Sequence, residues 1–316
     1  MSKNAPPHPY AFHWYVASSS LWLVAMSLQG FLIAWMLAGI LEVPADEFGL
    51  SRALIEIPPM LMLLLGGLLG DRFDGRKLLT VVTAAIALPP FAFSFFADSL
   101  AYWPVVGFAM TIAVLQSIAD PARQSIINRV AITDIQRTIT LITFVTTFVG
   151  MGGVWLGGQL ETIGLSTVLI IEAAVFGASL LAVRRLPPFP VQSGSSPRLL
   201  EGLTTLWRLP LVRNVIGLNF VSSLFNAGAY IVGMPYIVTE VYDGDAVFYS
   251  QTMVAFTVGS IGSMALLYVT MPLRHPGRLF LLMQTTRIAI LVALWLEPPV
   301  WLFFAVIVCW GINLGI

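Results

Sequence analysis

Two features of this chain could do chemistry: one charged turn, and a handful of polar side chains set inside long apolar runs. The turn is GGLLGDRFDGRK, residues 66–77. Gly66, Gly67 and Gly70 let two helices approach closely. Asp71 and Asp74 then sit among Arg72, Arg76 and Lys77, around the turn glycine Gly75. Such a turn either simply places positive charge or acts as a latch between moving parts. Among the other polar residues, Asn219, Ser222, Ser223 and Asn226 fall at i, i+3, i+4 and i+7, one polar stripe on an apolar helix. Lipid would not solvate that stripe, so it faces protein or a water-filled cavity. It serves either a ligand path or hydrogen bonding between helices. Glu56 and Glu172 are acids within apolar runs. Glu56 is near a run's end, within reach of water. Glu172 is near mid-depth, a candidate to carry a proton. Asp120, Pro121 and Arg123 close another run at the surface, where Pro121 removes a backbone donor and predicts a helix stop. Arg287 lies inside a run, unexplained by its neighbours in sequence.

The elements that position these residues follow from composition. Of 316 residues, 58% are hydrophobic and 10% charged, with a mean hydropathy of +0.87. A soluble domain carries about 25% charged residues, so this is a helical membrane protein. Ten apolar spans are predicted, roughly 14–41, 50–70, 78–97, 101–119, 137–160, 164–184, 212–239, 248–271, 279–296 and 299–316. The stretch 186–211 is rich in Pro, Ser and Gly and reads as a linker. It divides the chain into a six-helix bundle, 1–185, and a second set of four helices, 212–316. With the N-terminus inside, the inner segments hold fourteen Lys and Arg and the outer loops only Arg52. That bias places the N-terminus in the cytoplasm and the chain, multi-pass, in the cell (plasma or inner) membrane. In the fifth span, Gly150, Gly153 and Gly157 share one helix face, with Gly158 beside them, a surface for tight packing. Gly228, Gly233 and Pro235 predict a bend in the outer half of the seventh. The single cysteine, Cys309, excludes an internal disulfide. No HExxH or GxSxG pattern occurs, and LLGD at 68–71 lacks the first glycine of a GxGD aspartyl protease. No enzyme, metal site or cofactor is expected, and zero net charge gives no reason for nucleic acid.

Three local patterns resemble the major facilitator superfamily of transporters. The turn resembles its G-x-L-x-D-R-x-G-R-K loop signature through Gly67, Leu69, Asp71, Arg72, Gly75, Arg76 and Lys77, with one extra residue before the glycine. DPARQ, 120–124, is similar to a branch of macrolide-efflux and enterobactin-exporter proteins. Gly153 to Gly158 resembles the antiporter signature G-P-x-x-G-G, with Val154 in place of its proline. Arg72, Gly75 and Arg76 also have counterparts at Arg274, Gly277 and Arg278, a repeat at offset 202, in keeping with two parallel halves. The resemblance implies the major facilitator fold, two six-helix bundles of which about ten spans are present, the chain being truncated at its C-terminus. It implies a conformational latch at Gly67, Asp71, Arg72, Gly75, Arg76 and Lys77. It places Gln29, Gln116, Asn219, Ser222, Ser223, Asn226 and Asn313, from the first, fourth, seventh and tenth helices, along a substrate path. Glu172, Asp120 and Glu56 are its coupling candidates. The expected function is proton-coupled export of small amphipathic molecules by alternating access, an antiporter working as a monomer in the bilayer. The alternative is a non-transporting scaffold or sensor, or an inert truncated product.

Overall fold

In the computed structural model, residues 10–72, 74–131, 135–189, 209–270 and 276–315 are described, without the side chains of 61, 63–72, 135–137, 211, 212, 227, 268, 270, 276 and 315. The latch side chains of Asp71 and Arg72 and the surroundings of Gly67 therefore lie outside the described residues. Every regular element among the described residues is helical. Ten helices among them carry the fold. They are α1 (Ala11–Ile40), α2 (Ala45–Arg72), α3 (Gly75–Phe96), α4 (Tyr102–Val130), α5 (Ile135–Gly158) and α6 (Leu165–Arg184). After the linker region come α7 (Pro210–Gly228, continued through short helical segments to Val241), α8 (Ala246–Thr270), α9 (Pro276–Trp295) and α10 (Val300–Gly315). Eight are long and apolar enough to cross a bilayer. Of the other two, α10 is a shorter apolar helix, and α2 has 28 residues, with Asp46, Glu47, Arg52 and Glu56 toward its start and the apolar run 57–70 after them.

The first six helices pack around α1, which lies against α5 and α6, while α2 lies on α4 and α3 on α4 and α6. Among the last four, α8 packs on α10 and α9 on α10; α8 also meets α5, joining the two sets. Glycine sets the closest approaches. A Cβ at Gly153 would lie 2.0 Å from the carbonyl oxygen of Val24, and one at Gly157 would lie 2.4 Å from the Phe31 ring. Gly153 therefore presses α5 against the α1 backbone, and Gly157 makes room for the Phe31 ring. Gly158 turns instead to α8, where a Cβ would stand 2.2 Å from Ser250 Oγ.

One expected boundary is wrong. Pro121 does not stop the fourth span at 119; α4 runs on to Val130. A proline inside a helix loses one backbone hydrogen bond, but the turns beyond it bury Ala122, Arg123, Ile126 and Val130. That packing outweighs the lost bond, and it moves Arg123 from the expected surface into the interior.

The repeat seen in the sequence becomes a repeat of shape, now at offset 201. Both α1 and α7 end in one π-helical turn, Met36–Ile40 and Ile237–Val241. Both are then closed by the same amide-to-carbonyl bond, Val43 N to Leu37 O at 2.9 Å and Gly244 N to Val238 O at 2.8 Å. An acidic residue in left-handed conformation makes each corner, Glu42 at φ 48° and Asp243 at φ 45°. The next helices begin at Ala45 and Ala246. The expected loosening at Gly228, Gly233 and Pro235 falls on a further π turn of α7, Ala229–Gly233, and the short helical segment after it.

Candidate functional site

The helix ends define two faces. The end bearing Gly75 and Arg184 is here the near end; the end bearing Val43 and Val241 is the far end. At the near end, the described part of the charged turn is bonded into the first six helices. Asp74 caps α3, its Oδ1 accepting from Lys77 N at 3.1 Å. Gly75 N donates to Phe189 O at 3.1 Å. Arg76 Nη2 donates to Arg184 O, the end of α6, at 2.7 Å. A cation at a helix C-terminus is favourable through the helix dipole.

Above this lies an arginine cluster that sequence reasoning put at the surface. Arg123 is buried, its guanidinium 4.1 Å over the Trp22 ring. Its Nη1 donates to Ser18 Oγ at 3.3 Å, and its carbonyl accepts from Tyr15 OH at 2.9 Å. Ser179 Oγ of α6 donates to Ser18 O at 3.0 Å. One cation thus ties α1 and α4 together beside a bond from α1 to α6. Asp120 is half-buried near Arg123 and hydrogen-bonded to Gln116 on its own helix. Two expected roles, substrate path for Gln116 and coupling for Asp120, therefore fall on one contact.

Deeper in, two more candidates meet. Glu172 is fully buried on α6. With its amide turned as the surroundings demand, Gln29 of α1 donates to Glu172 Oε1 at 2.6 Å and Oε2 at 3.1 Å. No cation faces this carboxyl among the described residues. The sixth helix is thus no bystander: it presents an acid directly to α1. Glu56, by contrast, is exposed, one turn beyond Arg52 on α2.

The α7 stripe divides. Asn219 and Ser223 are exposed, while Ser222 and Asn226 turn toward α9 and α10. Arg287 of α9 is the hub that Ser222 meets. Its Nε donates to Asn313 Oδ1 at 2.7 Å, and its Nη1 donates to Ser222 Oγ at 3.0 Å and Gln284 Oε1 at 3.2 Å. Ser222 Oγ also donates to Gln284 Oε1. Asn313 is anchored by bonds from Nδ2 to Met283 O at 2.8 Å and Thr286 Oγ1 at 2.6 Å. Trp310 Nε1 donates to Asn226 Oδ1 at 2.8 Å. A cavity of about 530 Å³ and a smaller one of about 230 Å³ adjoin this network, and both are lined by Asn226 and Arg287.

At the far end the two sets of helices clasp each other, and the repeat governs the contacts. Tyr236 of α7 lies against Phe48 of α2, with centroids 5.8 Å apart. Their counterparts at offset 201 exchange partners: Trp35 of α1 stacks on Tyr249 of α8 at 5.7 Å. Phe31 adds a second ring to Tyr249 at 5.2 Å. Tyr236 OH donates to Val43 O at 2.5 Å, and Ala246 N donates to Glu161 Oε1 at 3.2 Å. Each half supplies the same two positions to the other, the form of a two-fold interface between identical subunits.

A family model described as transmembrane secretion effector matches residues 1–314, nearly the whole chain. The chain belongs to that family of major facilitator transporters. Two solved major facilitator structures share its fold. A bacterial homologue of the human lysosomal transporter Spinster, solved inward-facing and occupied, superposes with a TM-score of 0.67 at 16% identity, covering 98% of this chain and 73% of that one. The nucleoside transporter NupG, as a D323A mutant, gives 0.67 at 18%, covering 96% and 79%. At such identities they speak for fold alone. In sequence, the probable nitrate/nitrite antiporter NarK1 of Thermus thermophilus is 35% identical over 100 residues, 28% of this chain and only 23% of that protein's length. In this major facilitator chain, sequence reasoning did not single out Arg287 and Gln284 as partners of the stripe, nor the far-end rings as a contact. The rings were hidden from the repeat of 202 read from the charged turns, because Trp35, Phe48, Tyr236 and Tyr249 keep an offset of 201.

Proposed function

We propose that this major facilitator protein is a secondary transporter that exports small amphipathic molecules in exchange for protons, by alternating access. The N-terminus and the near end face the cytoplasm in this reading. Residues 1–185 and 212–316 act as the two rocking units, 186–211 as their linker, and a single chain is the working unit in the cell membrane. The far-end clasp is the observation that carries it. Its hydrogen bonds and stacked rings join the two units through small, separable contacts, the kind that opens and recloses during a cycle. The near-end turn, Gly67 to Lys77, is the opposing latch, with Asp71 and Arg72 holding that end when it shuts. Glu172, bonded to Gln29 and, among the described residues, to no cation, is the group we assign to the coupling proton.

Everted vesicles holding the protein test the proposal. An acid interior should drive uptake of amphipathic dyes, and collapse of the pH gradient should stop it. Asp71→Asn should lower uptake while leaving insertion intact. Dye uptake indifferent to the gradient, or to Asp71→Asn, refutes coupled export or the latch respectively.

A further inference from the structure

Helix α7 carries a π turn that its counterpart α1 lacks. Both helices end in matching π turns, but α7 has another at Ala229–Gly233, while α1 is regular α-helix from Ala11 to Trp35. A π turn holds one residue more than the α-helix it replaces. Beyond that turn the halves correspond at offset 201; before it, with one residue fewer to count, they correspond at offset 200. One residue is about 100° of helix rotation. The near-end part of α7 is therefore turned relative to what offset 201 would give.

The faces of α1 show what that turn does. Tyr15 and Trp22 meet Arg123 of α4, and Met26 continues their face one turn on. Ser18 and Gln29 meet Ser179 and Glu172 of α6, with Ala25 on the same face between them. Val24 and Phe31 meet the glycines of α5. The face that remains holds Ser19, Leu23 and Gly30, with Leu23 at its α5 edge, and a Cβ on Gly30 would find no atom within 4 Å. It is the face left for the second set of helices, whose α7 meets the end of α1. The clasp relates the two sets by a two-fold, so the same face of α7 looks back at α1. Offset 201 would make that face Phe220, Leu224 and Ile231; offset 200 makes it Asn219 and Ser223. Exposure does not choose between them, since all five are exposed. Asn226 does. Its Oδ1 accepts from Trp310 of α10 at 2.8 Å, and α10 is the fourth helix of its set, as α4 is of the first. At offset 200 Asn226 matches Met26, on the α4 face; at 201 it would match Ala25, on the α6 face. The bond to α10 fits offset 200.

We propose that the extra π turn rotates Asn219 and Ser223 onto the substrate path, so that α7 recognises its cargo through neutral hydrogen-bonding groups. The proposal rests on the transport reading above and names the substrate of that path: uncharged amphipathic molecules bearing hydroxyl, carbonyl or amide groups. Asn219 offers an amide donor and acceptor, and Ser223 and Ser19 offer hydroxyls. Leu23 and Gly30 give the apolar body a wall and room. None of these side chains is charged, so none offsets the cost of desolvating a charged cargo. Ser222 matches Trp22 at offset 200 and turns into its own half, where it accepts from Arg287. The polar stripe is thus split between the path and the packing of its own bundle.

The test uses the full chain in everted vesicles, with Cys309→Ala and one cysteine at a time: Asn219→Cys, Ser223→Cys, Phe220→Cys or Leu224→Cys. Each is treated with a charged, membrane-impermeant methanethiosulfonate. Only a wetted thiol ionises and reacts, so the first two should label at least about tenfold faster than the last two. Deleting Ile231 removes the extra residue and should reverse that order. Equal or reversed rates in the undeleted chain overturn the proposal, as does an order that survives the deletion in protein that still inserts. The four undeleted variants decide the matter even where the deletion does not fold. Labelling of Ser223→Cys is then repeated with 1-pyrenebutanol, 1-pyrenebutyrate or 1-pyrenemethylamine present. The alcohol should protect at about tenfold lower concentration than either ion. Equal protection by an ion, or none by the alcohol, overturns the substrate class. Because labelling is read without a gradient, this result and the dye-uptake result can fail independently.

Discussion

Gly158→Ala probes the contact on which far-end closure depends. A Cβ there would lie 2.2 Å from Ser250 Oγ and 2.6 Å from Ser250 Cβ, but 3.4 Å from Ala246 O, the nearest backbone atom across the interface. The overlap is thus with one side chain, itself buried and bonded to Val247 O at 2.8 Å. Overpacking of this size costs about 1–3 kcal/mol. Because α5 and α8 belong to different halves, the cost falls on the clasped state. About 2 kcal/mol shifts the clasped-to-open ratio by roughly 30-fold. Spin labels at Asp46 and Val241, in a Cys309→Ala background, read that ratio as a distance distribution. Gly158→Ala should move most of the population to longer distances and slow transport. Adding Ser250→Gly removes both short contacts and should restore the wild-type distribution, with Ser250→Gly alone as the control for helix weakening of about 1 kcal/mol. An unchanged distribution in Gly158→Ala, or no rescue by Ser250→Gly, would refute the argument that this contact holds the far end shut.

Three further outcomes are expected. Tyr236→Phe removes the bond to Val43 O, about 1 kcal/mol, and should open the same labels roughly fivefold without changing the Phe48 contact. Glu172→Gln keeps the shape and the partner Gln29 but cannot titrate; gradient-driven uptake should fall by at least about tenfold while substrate binding persists, and persisting uptake would free Glu172 of the coupling role. Gly153→Ala should lower the unfolding temperature by several degrees, since its Cβ would meet the Val24 carbonyl and about 1 kcal/mol corresponds to roughly 2 °C in a chain this long; Gly152→Ala, with nothing within 4 Å, should not.

Hydropathy and the arginine distribution are enough to place ten helices, because each span must be apolar over its length whatever it packs against. The glycine face of α5 is equally legible, since spacing alone sets which residues share a face. What sequence could not show is depth and partner. Pro121 looks like a stop because its local cost is certain, while the compensating burial of Arg123 depends on Trp22 and Tyr15, more than a hundred residues away. Arg287 has the same difficulty: its partners sit at Ser222 and Asn313, and neither helix spacing nor charge pattern links three separate helices. The Glu172–Gln29 pair joins two residues that sequence had sorted into different roles, a coupling acid and a path-lining amide. The side chains of Asp71 and Arg72 lie outside the described residues, so the latch stands as proposed.

The π turns at Met36–Ile40 and Ile237–Val241 also bear on ancestry. Each is the trace of one inserted residue in an otherwise regular helix. An origin of both halves in one duplicated segment would account for finding it at the same register in each. The near-end turn followed another course, with Asp71 matched by Leu273 at offset 202. The two halves thus differ at the charged turn and in the further π turn of α7, and share the corners by which they grip each other. A chain assembled from two copies of one half would be expected to retain the far-end clasp and to differ from this protein chiefly at the near end.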